Sequence, residues 1–504
     1  MKILYLWATL LVLVCVGQIS ADTLEIGVGK EYSNLSHAAQ HVSPGDTILF
    51  YPGVYPGGQS IRSLKGTSEK WIVLKSTADR DVIVRGGANA WHLIDPAYIQ
   101  ISGIIFEGQT GNGVNVDDGG DYATPANNIV FQGCTFRDIN ATSNNDLLKL
   151  SGLDDFRIED CTFENGAAGG SGIDMVGCHS GEILSCRFEN MGSNAVQAKG
   201  GTRDMLIQAN WFENCGQRSL NLGGSTGLAF FRPIDAPFEA ADIKVYANIF
   251  YGSIAPIAYV GCVRTHVVNN TIVSPEKWVV RILQESVDPS RFLECGDNSF
   301  QNNLIYQGDL STETNIGPNT RPESFVYRAN FWYNHERSNW RPSIPVDDPE
   351  ATINQDPLFR NAAEKDFRLS PNSPAIGVST YEDDPLYDFD NIPYQNPRSA
   401  GAFEGSPAAG LQSEGDEEKN SLCSVRPNPL NSCATFRYKL RCVSPVRLRI
   451  YDVSGRIIVD LIDCIMETGE HSSFYDFSNQ PSGVYFYELV AGSERFCGKL
   501  TVVR

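Results

Sequence analysis

The chain has 504 residues, enough for two or more domains, and its 42% hydrophobic and 20% charged residues match a globular protein with a sizeable core. A formal net charge of −20 argues against nucleic acid or an anionic membrane as a general partner. The thirteen cysteines include no CxxC pair and no Cys/His cluster at zinc spacing, which argues against a metal site built from them.

Residues 1–21 read as an export signal. Lys2 gives a positive start, Ile3 to Val16 is apolar, and Ser20-Ala21 ends on a small residue. The apolar run is shorter than the ~20 residues a spanning helix needs, so no transmembrane segment is expected. Residues 22–60 read as an opening cap, with a short amphipathic helix near 33–42, a strand ending at Phe50 and a turn at Pro52-Gly-Val-Tyr-Pro. Coils are expected from about Trp71. A phrase then repeats: Asn128-Ile-Val-Phe-Gln-Gly-Cys134-Thr-Phe136, Phe156-Arg-Ile-Glu-Asp-Cys161-Thr-Phe163 and Glu182-Ile-Leu-Ser-Cys186-Arg-Phe188. It continues through Asn210, Asn248 and Asn270, at steps of 27, 25, 24, 38 and 22 residues. That period, with alternating apolar residues and Gly or Asn corners, predicts an all-β chain. Its coils stack as a right-handed, single-stranded parallel β-helix. Cys134, Cys161 and Cys186 share one repeat position and read as inward-facing core residues.

Residues 344–405 read as the closing end of a β-helix domain spanning 22–405. Residues 406–420 are polar, acidic and rich in Gly, Ser and Glu, the composition of a linker. Residues 421–504 carry short alternating strands and read as a small β-sandwich. Its five cysteines (423, 433, 442, 464 and 497) leave an odd thiol.

Two resemblances rest on these segments. Arg426-Pro-Asn-Pro-Leu-Asn431, Ile450-Tyr-Asp-Val-Ser-Gly-Arg456, Pro481-Ser-Gly-Val-Tyr-Phe486 and Lys499-Leu-Thr-Val-Val-Arg504 resemble the type IX secretion C-terminal sorting domain. That resemblance implies Sec export, passage through the type IX machinery and a secreted or cell-surface protein. Pro44-Gly-Asp-Thr-Ile with Pro52-Gly-Val-Tyr, and Asp356-Pro-Leu-Phe with Ser373-Pro-Ala-Ile and Gly401-Ala-Phe-Glu, resemble the opening and exit of pectate-lyase-like β-helix proteins. This second resemblance implies a polysaccharide partner, while the fold hosts lyases, hydrolases, epimerases and binding proteins.

Aligning one strand across the coils gives an outward column of Lys149, Asp174, Gln197, Asn221, Tyr259 and Arg281. Such a polar stripe suits a linear polymer. Lys199, two residues beyond Gln197, is the candidate base, since uronate lyases of β-helix families use a Lys or Arg on such a strand. Arg218, ~16 Å along the strand by rise per residue, is its candidate catalytic partner. In chondroitinase- and alginate-lyase-like families the Arg falls in a Leu-x-Leu-Arg phrase, which here reads Leu220-Asn-Leu-Gly223. An inserted loop, Ser225 to Ala240, contains Phe230-Phe231-Arg232-Pro233, and Arg232 is a candidate sugar contact beside the two aromatic rings. Asp117, Asp118 and Asp121 form a conceivable Ca2+ site, with an exposed turn at Gly119-Gly120 as the alternative. No other cofactor is expected. The reading is therefore a monomeric secreted protein acting on polysaccharide, by β-elimination of a uronic-acid-containing glycan. A non-catalytic glycan- or surface-binding protein and a glycoside hydrolase (with Asp174 paired with Glu285 or Asp235 as acid and base) are the alternatives.

Overall fold

The computed structural model describes residues 21–406 apart from 78–80 and 380–383, and residues 423–502 apart from 427–429, 431–432, 441–443, 454–455, 479 and 492–493. Nearly all of the predicted export signal and of the predicted linker lies outside the described residues. No helix among the described residues is long and apolar enough to cross a membrane.

Each sequence repeat folds as one coil of three short strands, because its Gly, Asn and Asp corners interrupt the apolar alternation twice. Around Cys161 the strands are Leu148–Ser151, Leu153–Glu159 and Thr162–Glu164. Each pairs in parallel with its counterpart in the next coil: Ser171–Val176, His179–Leu184 and Arg187–Glu189. Repetition builds three parallel sheets of 13, 10 and 12 strands, and the result is a parallel β-helix. The coils begin earlier than the sequence suggests. Thr23–Ile26 already pairs in register with Thr47–Phe50, so the expected opening cap is itself part of the stack. The expected helix is a single turn, Leu35–Ala38. The Asn34 side chain caps it by accepting from the His37 amide, and Leu35 and Ala38 are buried.

The core is laid down in columns. Phe106, Phe136, Phe163, Phe188, Phe212 and Phe250 stack with ring centroids 4.7–5.0 Å apart, the spacing of the strands themselves. Cys134, Cys161 and Cys186 form a second inward column of free, buried thiols. From Asn210 onward asparagine replaces cysteine there. The Asn248 Oδ1 accepts from both the amide and the Nδ2 of Asn210, and its own Nδ2 donates to Ile207 O and to Asn270 Oδ1, each at 2.9 Å. The ladder runs on through Asn303 and Asn330 to Asp348. A buried amide with every hydrogen bond made stabilises the corner that an apolar residue would leave unsatisfied.

The closing segment contributes an antiparallel pair, Phe359–Asn361 with Asp366–Leu369, whose Phe367 packs on Ile249 and Val273. The chain divides into two compact units at 407/408. The second contains a three-stranded and a four-stranded antiparallel sheet around Phe436, Leu448, Ile450, Phe477 and Leu500. Cys464 in it is a free, exposed thiol.

Candidate functional site

The ten-stranded sheet carries an outward column ten residues long. Its register runs Ser60, His92, Asn115, Lys149, Asp174, Gln197, Asn221, Ala258, Arg281, Asn315. The apolar neighbours of His92, Trp91 and Leu93, are fully buried, which fixes the outward direction of the strand's polar residue. Two residues along the strands runs a second column: Arg62, Ile94, Asp117, Ser151, Val176, Lys199.

These columns floor a groove of about 670 Å³ that crosses six successive strands, from Arg62 to Lys199. His92, Asp117, Asp118, Lys149 and Lys199 line it, and Tyr122, Thr226 and Phe230 form one side. At ~4.8 Å per coil the floor is about 24 Å long. Toward its Lys199 end the ammonium groups of Lys149 and Lys199 meet the Asp174 carboxylate, Lys199 at 3.4 Å, and Lys149 also lies 3.6 Å from Asp146. Asp174 is only 2% exposed, and its Oδ1 has no hydrogen-bond partner. Burial opposes the Lys149 charge, but Asp174 and Asp146 outweigh it and hold its pKa above the ordinary value. Burial, and then the Asp174 charge, push Asp146 up to about 7. The lysines keep some solvent contact while their counter-charges lie beneath them.

At the other end of the groove, His92 Nε2 lies 2.5 Å from Asp117 Oδ2. Asn115 Nδ2 donates to the same oxygen at 3.1 Å, and the Gly119 amide donates to Oδ1 at 3.0 Å. Arg62 has no carboxylate partner among the described residues. Sequence reasoning missed His92, Asn115 and Arg62. The repeat phrase that sets the register is weak before residue 128, so the column could not be extended toward the N-terminus.

The side wall is the inserted loop. Phe231 is buried against Phe292 and Ala236, whereas Phe230 is 63% exposed and faces the groove. Arg232 is not a sugar contact: it is 8% exposed, and both its terminal nitrogens bond Asp154, at 2.7 and 2.6 Å. Gly177 makes room for this clamp, since a Cβ there would lie 2.6 Å from Arg232 Cβ. Glu239 anchors the other side of the loop through the Gly200 and Thr226 amides, and Tyr122 Oη donates to Ala229 O at 2.8 Å.

Other expected contacts fall away. Tyr259 points inward, fully buried, and donates to Ser299 O. The register aligns Ala258, not Tyr259, with Asn221. Asn221 is 2% exposed beneath Arg218, which donates to its Oδ1 at 2.7 Å and lies 3.2 Å from Glu285. Arg218 thus belongs to a separate paired unit and does not line the groove with Lys199. Arg281 lies two coils beyond, bonded to Asn315 and packed on Trp278. Gln197 keeps its outward place between Asp174 and Asn221. The three aspartates do not converge on a Ca2+ site. Asp117 and Asp118 accept from the Gly119 and Gly120 amides and Asp121 from Ala123 and Thr124, so they cap turns. No group of three metal-ligating side chains occurs among the described residues.

Residues 82–272 match the family described as the right handed beta helix region, and residues 424–503 match the secretion system C-terminal sorting domain. Among solved structures, pectate lyase Pel9A aligns over 77% of this chain and 98% of its own, at 14% identity and TM-score 0.51. An alginate lyase from Paenibacillus sp. aligns over 60% and 97%, at 16% identity and TM-score 0.40. The A-module of a mannuronan C-5 epimerase from Azotobacter vinelandii aligns over 64% and 93%, at 10% identity and TM-score 0.44. No curated protein matches the chain. The chain is a right-handed parallel β-helix protein of pectate-lyase-like fold whose type IX sorting domain directs it to the cell surface or the extracellular space.

Proposed function

We propose that the groove binds a uronic-acid-containing polysaccharide lengthwise and cleaves it by β-elimination. The observation that carries the reading is the pair of ammonium groups, Lys149 and Lys199, held over the buried Asp174 in the floor of a groove that follows the coil stack. A chain with net charge −20 repels a polyanion at long range, so cations concentrated in one groove mark where such a polymer can lie. Elimination begins with loss of the weakly acidic proton next to the sugar carboxylate. Positive charge fixed beside that carboxylate stabilises the negative charge that develops there. Lys149 and Lys199 bind carboxylates of the polymer along the groove, with Phe230 as an apolar surface for a sugar ring at the rim.

The test incubates the protein with alginate, polygalacturonate and chondroitin and follows the ultraviolet absorbance of the 4,5-unsaturated product. The wild type should generate it from at least one polymer. Lys149→Ala and Lys199→Ala should each lower kcat/KM by about 10-fold or more, mainly through KM, as loss of a charge-assisted contact to the polymer does. Reducing ends without unsaturated product would make the protein a hydrolase. Binding without either product would make it a binding protein. Either result sinks the elimination reading.

A further inference from the structure

We infer that His92 is the catalytic base of this groove, with Asp117 as its positioning residue and Arg62 as the cation that receives the reacting sugar's carboxylate. The inference rests on the β-elimination reading and assigns its proton-transfer step. Three observations carry it. First, the Asp117 carboxylate is locked by the Asn115 amide, the Gly119 backbone and the His92 ring, so it cannot turn away from the imidazole. A carboxylate that accepts Nε2–H fixes the tautomer in which Nδ1 carries the lone pair, and Nδ1 has no partner among the described residues. Second, the His92 side chain keeps 31% exposure and lines the groove, whereas Asp117 is the more covered partner at 23%. That is the arrangement of a base and the group that orients it. Third, Arg62 stands on the strand next to that of His92, lines the same groove and has no carboxylate partner among the described residues. The two lysines, by contrast, already share Asp174.

Lys149 lies two coils and Lys199 four coils farther along, about 10 and 19 Å at the strand spacing. They would grip carboxylates of the same polymer farther down the chain. In the step itself, His92 Nδ1 takes the proton from C5 of the uronate, whose carboxylate faces Arg62. The C5–H electron pair becomes the C4=C5 double bond. The C4–O4 pair leaves with O4, which takes a proton from solvent, and the imidazolium returns its proton to solvent.

The experiment uses the full chain, whichever of the three polymers gives unsaturated product, and the variants His92→Gln, Asp117→Asn and Arg62→Ala. Circular dichroism checks that each is folded. Loss of the base should lower kcat by about 10³-fold with KM little changed, as removal of a general base does. Asp117→Asn should lower kcat by about 10²-fold or more at unchanged KM, through a misplaced tautomer. It should also redistribute the His92 signals in imidazole nitrogen-15 spectra, which a merely structural role would not do. Arg62→Ala should act mainly on KM. An active wild type with an equally active His92→Gln overturns this inference and leaves the elimination reading standing. A wild type whose His92 carries its proton on Nδ1 overturns the inference whatever the activity. No unsaturated product from any polymer overturns both.

Discussion

Replacing Arg232 with methionine should loosen the groove's side wall without disturbing the coil stack. Asp154, one partner of the clamp, has an ordinary pKa of 3.8. Burial pushes it up, but hydrogen bonds from His179 and Arg232 and the guanidinium charge outweigh this and bring it to about 2. A shift of that size corresponds to about 2 kcal/mol of stabilisation of the charged carboxylate by its partners. Asp154 is a quarter exposed (25%), so solvent screens part of this. His179 keeps its share of the shift in the variant, so about 1 kcal/mol, or roughly 5-fold in an opening equilibrium, is the working figure for the guanidinium after that discount. The amide of residue 232 donates to Gly200 O at 3.0 Å and reports the opening directly. Hydrogen exchange of peptides covering residues 227–236 should therefore quicken by that factor in Arg232→Met. Peptides carrying the asparagine ladder should stay unchanged. The folded pKa is depressed, so the contribution is present above the ordinary value near 4 and lost as pH falls through about 2. The two proteins should exchange alike near pH 2 once intrinsic rates are corrected. Equal protection at neutral pH would refute the reasoning, because the clamp would then contribute nothing.

Asp146 is 3% exposed and its pKa is pushed up, so ionising it costs stability as pH rises from about 4 toward 7. Asp146→Asn should gain in Tm relative to wild type as pH goes from 5 to 8, and a gap independent of pH would count against this. Asn248→Ala removes the acceptor of the Asn210 amide and the Nδ2 donor to Ile207 O, while the Asn210 side chain keeps its bonds to Ile183 O and the Cys186 amide. At about 1–3 kcal/mol for a buried unsatisfied group it should cost 3 kcal/mol or more in urea unfolding, and a loss under ~1 kcal/mol would show that the ladder is dispensable. A thiol reagent applied to native protein should label Cys464 and spare Cys178, which is fully buried with its thiol pushed up to about 12. Labelling of Cys178 at the rate of Cys464 would contradict its burial in the core.

The coil architecture was legible because one apolar phrase returns with its corner residue at each turn, and burial of that phrase tolerates little variation. The Phe163 and Cys161 positions announce the repeat by themselves. Tyr259 shows where the reading failed. A one-residue error in register turns a strand inside out, and the segment 255–260 is apolar throughout, so alternation could not say whether Ala258 or Tyr259 faces out. Arg232 failed for another reason: its partner, Asp154, is 78 residues away and no local signal links them. Nor did the sequence reveal that the coils begin at Thr23. Short strands near that end carry no Cys or Asn corner, and only their pairing identifies them. Phe230 and Phe231, adjacent and alike in sequence, take opposite fates where the 3-10 turn Leu228–Phe230 ends and the backbone becomes extended at Phe231.

Because every coil delivers a single outward residue to each column, the floor of the groove is assembled one rung at a time. Gain or loss of a whole turn would lengthen or shorten that surface by a fixed step of ~4.8 Å, leaving the chemistry of the remaining rungs in place. The length of the groove in a β-helix of this kind can therefore be changed by duplication of sequence, with no repacking of the core it already has.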